Sequence, residues 1–255
     1  DGRIVSVANM GANNQQILHL YENQNGAFKL LVKKDMDVIR NRYQMAPLHL
    51  SPAAKTIWHA GVFRELNTLK GACWTDRSGY LAIEDNANAR WVGESHIVEI
   101  AIPQQAYSPV DEDSPDRVLL LSSATGGKPI TITSSPQAIG LAAAPDGSQI
   151  AEAGKDLRLR IRDSSTLKVV REIRTHDAPL TSVAWHPRLP YVATASEDHS
   201  VKIWDLRTDK LARKIGLFTG IPNALYWSPD GKTLAVQSAE ASYFVDLFKI
   251  DCCNE

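Results

Sequence analysis

The sequence predicts an all-β fold in which four-stranded antiparallel sheets repeat along the chain. One pattern is written three times, as LAAAPDGSQIA, VAWHPRLPYVA and LYWSPDGKTLA, and each copy reads as strand, turn and strand. The turn prolines Pro145, Pro187 and Pro229 follow at a constant interval of 42 residues (187 − 145 = 229 − 187 = 42). That interval lies within the roughly 40–45 residues of one β-propeller blade. Because helical periodicity is weak throughout, we predict one propeller domain over residues 1–255. We expect about six blades, with seven as the alternative.

The clearest repeat occupies residues 176–215, where four short apolar runs are separated by polar turns. The runs LTSVAW, YVATAS and VKIWD are rich in β-branched and aromatic side chains, which favour strands. Pro187 and Pro190 mark the first turn, because proline cannot donate to the ladder of a central strand. Asp198 suits the second turn, because its carboxylate can accept from nearby backbone N–H groups. With a fourth run at residues 211–215, this unit is predicted to form an antiparallel meander.

This unit resembles one repeat of the WD-repeat β-propeller family. The family places a His before the first strand and closes the third strand with Trp-Asp, which here are His176 and Trp204-Asp205. The resemblance implies a buried polar chain that joins His176, Thr194, Asp198 and Trp204. Such a chain makes physical sense, because imidazole, indole and hydroxyl groups cannot be buried without hydrogen-bond partners. The resemblance also implies a scaffold or recognition module for a protein or peptide partner, without catalysis of its own.

The preceding repeat departs from this pattern. At the same offsets, Ser134 replaces the His, Glu152 the Thr and Arg162 the Trp, while Asp156 keeps its place. We expect Arg162 to lie near both carboxylates, so that an ion pair or triad replaces the neutral chain. Removing one partner of a buried ion pair costs about 3–5 kcal/mol. Arg162→Leu is therefore expected to unfold this blade, whereas Arg160→Leu is expected to do little.

A basic stripe runs along the same strand. Arg158, Arg160 and Arg162 alternate with apolar residues, which places the three guanidinium groups on one face. The stripe is a candidate patch, led by Arg158 and Arg160, for phosphate or an acidic partner. Ordinary strand alternation with solvated arginines is the alternative. We favour that alternative, because 28 basic against 29 acidic residues leave a net charge of −1, so we expect no nucleic-acid partner.

The first third of the chain is less regular. GRIVSVA, QQILHLY and FKLLVKK read as strands two to four of a blade, as if the chain began within a repeat. LHLSPAAKTIWHA and ACWTDRSGYLAI each read as strand, turn and strand, but they are too close together to open two complete blades. HIVEIAI reads as a strand, and RVLLLSSATGGKPITIT reads as strands three and four. Irregular blades are thus expected over residues 34–135, with PQQAYSPVDEDSPD as an acidic surface insertion.

Composition and motifs narrow the functional classes. No apolar run approaches the roughly 20 residues of a membrane helix, and no signal peptide is evident, so we expect a cytoplasmic or nuclear protein without a membrane partner. The three cysteines, Cys73, Cys252 and Cys253, do not form a disulfide framework. Hydrolase motifs and histidines at metal-ligand spacing are lacking, and we predict no cofactor. His186 and His199 lie in predicted turns and are expected to be exposed.

Two alternatives to a scaffold stay open at this stage. The chain could be the sensor or regulatory domain of a longer signalling protein that carries a kinase or NTPase domain elsewhere. It could also be a propeller enzyme or lyase, which would require reactive side chains converging in the central channel. The sequence shows no such set of side chains.

Overall fold

A computed structural model describes most of the chain. The described residues are 3–10, 15–24, 27–36, 48–51, 55–59, 62–65, 71–74, 80–82, 89–103, 117–126, 128–134, 138–216, 218–238 and 240–246. Every regular secondary-structure element within these ranges is a β-strand, which confirms the all-β prediction. Nowhere in these ranges is there a helix with the length and apolar character of a membrane span.

Within the described residues, the strands form six antiparallel sheets, which are the blades. Blade 1 contains β1 (Arg3–Met10), β2 (Gln15–Gln24) and β3 (Ala27–Met36). Blade 2 contains β4 (Leu48–Leu50), β5 (Thr56–His59), β6 (Val62–Glu65) and β7 (Gly71–Trp74). Blade 3 contains β8 (Tyr80–Ala82), β9 (Ala89–Val92), β10 (His96–Pro103), β11 (Val118–Ser123) and β12 (Ile130–Thr133).

The last three blades follow the 42-residue period. Blade 4 contains β13 (Ala138–Ala143), β14 (Gln149–Gly154), β15 (Arg158–Asp163) and β16 (Val169–Arg174). Blade 5 contains β17 (Leu180–Trp185), β18 (Tyr191–Ser196), β19 (Val201–Asp205) and β20 (Lys210–Ile215). Blade 6 contains β21 (Pro222–Trp227), β22 (Thr233–Ser238) and β23 (Ser242–Asp246). In blades 4 to 6 each strand pairs with the next along the chain, as predicted for a meander.

Neighbouring blades bury each other's flanks. The first strands are in contact in series, β13 with β17 and β17 with β21. Leu159 and Ile161 of blade 4 share one core cluster with Val192 and Trp204 of blade 5. A second cluster joins blade 5 to blade 6, and Ala193, Ile203, Leu234 and Val236 belong to it. Because each interior blade is covered on both flanks, all six residues of β18 are buried.

The described strands of the irregular region, residues 34–135, form blades 2 and 3 apart from the end of β3. LHL is β4 and opens blade 2, whereas ACW belongs to β7 and closes the same blade. The segment YLA forms the second half of the predicted ACWTDRSGYLAI pattern. It is β8 and pairs with β10 of blade 3. This explains why the two patterns lie too close together to open two blades. The predicted strands in HIVEIAI and RVLLLSSATGGKPITIT form β10, β11 and β12. All but the first residue of the predicted acidic insertion lies outside the described residues.

The outer strand of several blades carries a bulge at the same place. In blade 4, Ile161 pairs with Arg171 and Arg162 with Val169, so one residue of β16 is extra. In blade 5 the same shift lies between Ile203 and Trp204. Blades 1 and 2 have a shift in their last strand pair as well. Bulges on edge strands disrupt the ladder and hinder further strands from adding there.

Candidate functional site

The four residues of the polar chain in blade 5 lie in hydrogen-bonding contact. The Nδ1 atom of His176 lies 2.8 Å from Oδ2 of Asp198, and its Nε2 atom lies 2.9 Å from Oγ1 of Thr194. The indole N–H of Trp204 donates to the same hydroxyl oxygen at 3.0 Å. One arrangement satisfies every group: Trp204 donates to Thr194, Thr194 donates to Nε2, and Nδ1–H donates to Asp198. The chain thereby ties the loop before β17 to the loop between β18 and β19.

The electrostatics of this chain favour a neutral imidazole beside an ionised carboxylate. Burial lowers the pKa of His176, and this outweighs the attraction of Asp198. Burial alone would raise the pKa of Asp198, but hydrogen bonds from Ser200 and His176 lower it to about 2. The side chain of Ser200 donates to Asp198 at 2.6 Å and its backbone N–H donates at 3.0 Å. These groups therefore hold the loops together and are not poised to exchange protons near pH 7.

Blade 4 carries an ion pair at the equivalent positions. The Nε–H of Arg162 donates to Glu152, and its Nη1–H donates to the carbonyl of Leu167 at 2.8 Å. Both side chains are buried, with 5% and 0% exposure, respectively. Ser134, at the His position, is also buried. The geometry thus contains the expected pair between Arg162 and Glu152.

Asp156 has a different partner from the one predicted. It pairs with Arg160 through two contacts, Nη2 to Oδ2 at 2.6 Å and Nη1 to Oδ1 at 3.1 Å, so the expected triad around Arg162 does not form. The reason is the strand geometry. Asp156 lies in the loop that enters β15, so Arg160 is nearer to it, and Arg162 lies about 7 Å farther along the strand.

The basic stripe is compensated within blade 4. Arg160 also pairs with Glu172 at 2.8 Å, and Arg158 donates to the other oxygen of Glu172. Arg160 is itself buried, at 9% exposure, so Arg160→Leu should cost more stability than the sequence alone suggests. Arg158 is exposed but shares its carboxylate with Arg160. The proposed partner patch at Arg158 and Arg160 is therefore a cross-strand charge network.

His186 is buried, contrary to the sequence expectation. Its Nδ1 accepts the backbone N–H groups of Arg188 and Leu189 at 3.0 and 2.9 Å, and its Nε2 lies 3.2 Å from the carbonyl of Gly231. The ring packs edge-on against Trp227, at 4.6 Å between centroids. His186 therefore links the first turn of blade 5 to the corresponding turn of blade 6. The signal that sequence reasoning missed is Gly231, where only a residue without a side chain leaves room for the ring.

His199 is half-buried, and its Nδ1 lies 3.1 Å from the carbonyl of Phe218. The expectation of exposure is thus wrong for this histidine as well.

A second role that the sequence did not reveal belongs to the Asp that ends the third strand. Asp163 accepts the backbone N–H groups of Ser165 and Thr166, and Asp205 accepts that of Arg207. The hydroxyl groups of Ser165 and Thr166 also donate to Asp163, and these side-chain hydrogen bonds, together with the backbone ones, lower its pKa to about 2. The aspartate of this position thus caps the turn that leads to the outer strand.

Blade 6 replaces the polar chain by apolar contacts. Phe218 stands at the His position and packs edge-on against Tyr243, at 5.0 Å between centroids. Val236 stands at the Thr position and is buried. Asp246 pairs with Thr233, as Asp205 pairs with Tyr191, so the residue at the Trp position is Val245. Constant offsets from blade 5 would have assigned that position to Asp246.

Several tryptophans have core roles. Trp58 and Trp91 share a buried cluster with Ala89 and Ile97, so neither is an exposed interface anchor. The indole N–H of Trp227 donates to the carbonyl of Ala184 at 3.3 Å, so this side chain packs between blades 5 and 6. The described residues contain no group of three or more His, Cys, Asp or Glu side chains that could hold a metal ion.

One face of blades 5 and 6, which we name the loop face, consists of residues 175–179, 197–200, 218–221 and 240–241. Its loops are joined laterally. The backbone N–H of Glu197 donates to the carbonyl of Pro179 at 2.9 Å, and that of Phe218 donates to the carbonyl of His199 at 3.0 Å. Asp177, Glu197 and Glu240 are exposed on this face. The polar chain and these backbone hydrogen bonds thus fix the loops of this face, which exposes three carboxylates.

Comparisons with known proteins agree with this architecture. The family model "WD domain, G-beta repeat" matches residues 167–205. Protein HIR1 of Cryptococcus neoformans var. neoformans serotype D is 33% identical over 107 residues, which cover 40% of this chain and 12% of that protein. Nuclear distribution protein PAC1 of Coprinopsis cinerea is 52% identical over 40 residues, which cover 16% of this chain and 9% of that protein. The matched segments therefore span only a small part of these curated relatives.

A solved structure shares the fold over nearly the whole chain. The C-terminal WD40 domain of Sif2 superposes with a TM-score of 0.67 at 16% identity, covering 98% of this chain and 68% of that one. At this identity the likeness concerns the fold alone. The matched WD40 repeat and the relatives make parts of this chain similar to WD-repeat proteins, and the shared fold agrees with a WD-repeat β-propeller architecture.

Proposed function

We propose that this chain is a non-catalytic protein-interaction module, which presents the loop face to a protein or peptide partner. The observation that carries the proposal is that the buried polar groups of blades 4 and 5 form hydrogen bonds and ion pairs within the fold. Glu152, Arg162, His176 and His186 all bond to other residues of the fold. Their bonds fix the loops in place, and binding surfaces are commonly loops carried on such a rigid scaffold.

The family context supports this reading. The matched WD40 repeat and the similarity to HIR1 and PAC1 favour an interaction scaffold over the alternative of a regulatory domain attached to a kinase or NTPase. We further propose a cytoplasmic or nuclear location for this chain. A nucleic-acid partner is disfavoured by the net charge of −1 and by the exposed carboxylates of the loop face.

Affinity capture with the purified chain, followed by cross-linking and mass spectrometry, tests the proposal. We expect partner proteins from an extract of the source cells to be captured saturably and to cross-link at the loop face. The variant D177K/E197K/E240K should weaken this capture. The matched control K168E/K232E reverses two exposed charges on the opposite loops and should leave the capture intact. Equal effects of both variants, or capture that untagged chain does not compete away, would refute the proposal.

A further inference from the structure

We propose that the outer strand of blade 3, β12, binds an extended segment of a partner protein, which adds to the sheet as a further strand. The segment would carry apolar side chains and an acidic end. We name this surface the β12 edge and define it by residues 130–133 of β12 and by Val169, Val170 and Arg174 of β16. It lies on the outer rim of the propeller, apart from the loop face. The inference therefore goes beyond the proposed function and does not depend on it.

The backbone of β12 is a regular edge. The last strand pairs of blades 1, 2, 4 and 5 each contain a register shift, whereas the pair of β11 and β12 contains none. Within the described residues, β12 is also the terminal strand of its sheet. A regular edge can pair its outward N–H and C=O groups with a strand from another chain, which a bulged edge hinders.

The hydrogen-bond pattern shows which groups of β12 point outward. The backbone N–H of Ser134 donates to the carbonyl of Arg117 at 2.9 Å, and this bond continues the register of β11 and β12. Because bonded and non-bonded pairs alternate along an antiparallel ladder, Ile130 and Ile132 form the bonds to β11. The N–H and C=O groups of the threonines at 131 and 133 therefore point away from β11. These are the groups that an added strand would meet.

The side chains on one side of this edge form an apolar groove with blade 4. Ile130 is directly opposite Leu121, which packs toward blade 4, so Ile130 faces blade 4 as well. Across the seam, Val169 is opposite Arg162, and Arg162 is opposite Ile150, which packs toward blade 3. Ile130 and Val169 thus line the seam between blades 3 and 4 from its two sides.

The groove exposes much of its apolar surface. Ile130 is 49% exposed, Val169 is 43% exposed, and Val170, the extra residue of the bulge in β16, is 51% exposed. These are three of the eight large apolar residues that are exposed in the described part of the chain, so this seam holds a concentration of them. Exposed apolar side chains that lie together commonly mark a site of interaction.

The next seam is closed by charges, and this one is not. Between blades 4 and 5, Arg171 pairs with Asp209 at 3.2 Å. The residue equivalent to Asp209 is Leu167, by the equal spacing from Trp204 and Arg162 (209 − 204 = 167 − 162 = 5). Leu167 is buried in the core cluster that blades 3 and 4 share. The groove beside β12 therefore has an apolar floor in place of an ion pair.

One end of the groove is basic. Arg174 is directly opposite Arg158, which alternates with Leu159 and so faces blade 3. Arg158 and Arg160 share the carboxylate of Glu172. Arg174, by contrast, is exposed and forms no ion pair with another described residue. A segment that ends in acidic side chains would complement this charge while its apolar side chains cover the groove.

The test uses a fluorescein-labelled peptide, Gly-Ser-Ile-Thr-Val-Thr-Val-Asp-Glu, read by fluorescence anisotropy against the whole chain. We expect saturable binding. Thr131→Pro removes an outward N–H and keeps the bonds to β11, since proline is tolerated on edge strands. It should raise the Kd about ten-fold. The matched control Thr131→Val keeps both the N–H group and the β-branched shape, and it should leave the Kd unchanged.

The groove and its charge are tested separately. Val169→Ser should raise the Kd several-fold, whereas Leu211→Ser, at the equivalent position of the next blade, should not change it. Arg174→Glu should also weaken binding, and the loss should shrink with added salt. Lys214→Glu, on the outer strand of blade 5, is the matched control for the charge.

A second test leaves the protein unaltered and serves if T131P fails to fold. In a strand added to β12, alternate amides of the peptide face the edge and the others face away. N-methylation of one alternate set of amides should abolish binding, and N-methylation of the other set should leave it intact.

Several outcomes would overturn the proposal. Equal affinities of T131P and T131V, or of the two methylated peptides, would exclude an added strand, and absence of saturable binding would exclude the site. If light scattering shows a dimer that T131P converts to a monomer, a second copy of this chain occupies the edge instead of a partner segment. The loop-face variant D177K/E197K/E240K should bind the peptide normally, so failure of this proposal is distinguishable from failure of the proposed function.

Discussion

Arg162 and Glu152 form a buried ion pair at the two positions that Trp204 and Thr194 occupy one blade later. The guanidinium group fills the place of the indole and the carboxylate that of the hydroxyl. In both blades the second and third strands are joined by one buried side-chain contact. The chemistry differs, since the pair is charged and the Trp–Thr contact is neutral. Two solutions to the same packing requirement thus stand side by side in one propeller.

Substitution along β15 should give a graded loss of stability. Arg162→Leu leaves Glu152 buried without its counter-charge, which should cost about 3–5 kcal/mol of unfolding free energy. Arg160→Leu should cost less, because Asp156 and Glu172 are 28% and 36% exposed and can be solvated by water. Arg158→Leu, at a 45% exposed side chain, should cost least. Urea unfolding of the three variants measures the order.

A double variant separates the charge from the packing. E152T/R162W rebuilds the Trp–Thr contact of blade 5 in blade 4, and it should be more stable than R162L because no buried charge is left alone. Equal unfolding free energies for R158L, R160L and R162L would contradict the assignment of the buried pair.

Thr194 should be the most sensitive member of the polar chain in blade 5, because it joins two other groups. Thr194→Val removes the hydroxyl and leaves both the indole N–H of Trp204 and Nε2 of His176 without their partner. At about 1–3 kcal/mol for each buried unsatisfied group, a loss of about 2 kcal/mol or more is expected. Thr194→Ser keeps the hydroxyl and should cost only about 1 kcal/mol for the lost methyl. Thermal or urea unfolding that ranks Ser below Val would reject this role.

Much of the fold could be predicted from the sequence because its signals are local. The prolines at 145, 187 and 229 lie in turns, and the strands around them follow the predicted pattern. The partners His176, Thr194, Asp198 and Trp204 could be named because each has a fixed offset within one repeat. The short strands of blades 2 and 3 were harder to predict. Strands β4 and β8 have three residues each, which is too few to show a periodic pattern.

The features that the sequence did not predict depend on contacts between distant residues. The burial of His186 requires the backbone of Gly231, 45 residues away in the next blade. The pairing of Asp156 with Arg160 depends on how far each arginine lies from the loop, which offsets between repeats do not express. The Trp position in blade 6 shifts to Val245 because its loop after β22 is one residue shorter than the matching loop of blade 5. Contacts between turns, loops and neighbouring blades, rather than composition, decide all three features.

Gly231→Ala should be costly for two separable reasons. The backbone φ at Gly231 is +75°, a conformation that L residues rarely adopt, which costs about 1–2 kcal/mol. A Cβ at this position would also lie 2.4 Å from Cε1 of His186 and displace the buried ring. Gly93→Ala is the matched control, because its φ of +60° brings the same strain and its Cβ would meet nothing within 4 Å. The excess loss of G231A over G93A in unfolding free energy measures the His186 contact. Equal losses would mean that the ring moves aside without cost.

Stability should fall as the pH is lowered below neutrality, owing to two histidines. Burial lowers the pKa values of His176 and His186, which outweighs the effect of Asp198 near the first and of the Gly231 carbonyl near the second. The unfolded chain therefore binds protons at both imidazoles as the pH drops below about 6.5, whereas the folded chain resists them. The unfolding free energy should thus decrease between about pH 7 and pH 5 and be insensitive to these groups above pH 7.

The charged and titratable neighbours do not reverse this sign. Lys202 disfavours protonation of His176, and Arg188 disfavours that of His186. Asp198, with its pKa lowered to about 2, stays ionised through this window and contributes a separate loss only in stronger acid, below its unfolded value of about 3.9. His186→Gln removes one of the two titrating rings, so its unfolding free energy should vary less with pH than that of the parent chain. Urea unfolding at closely spaced pH values provides the comparison, and identical slopes for the two proteins would show that His186 is not linked to folding.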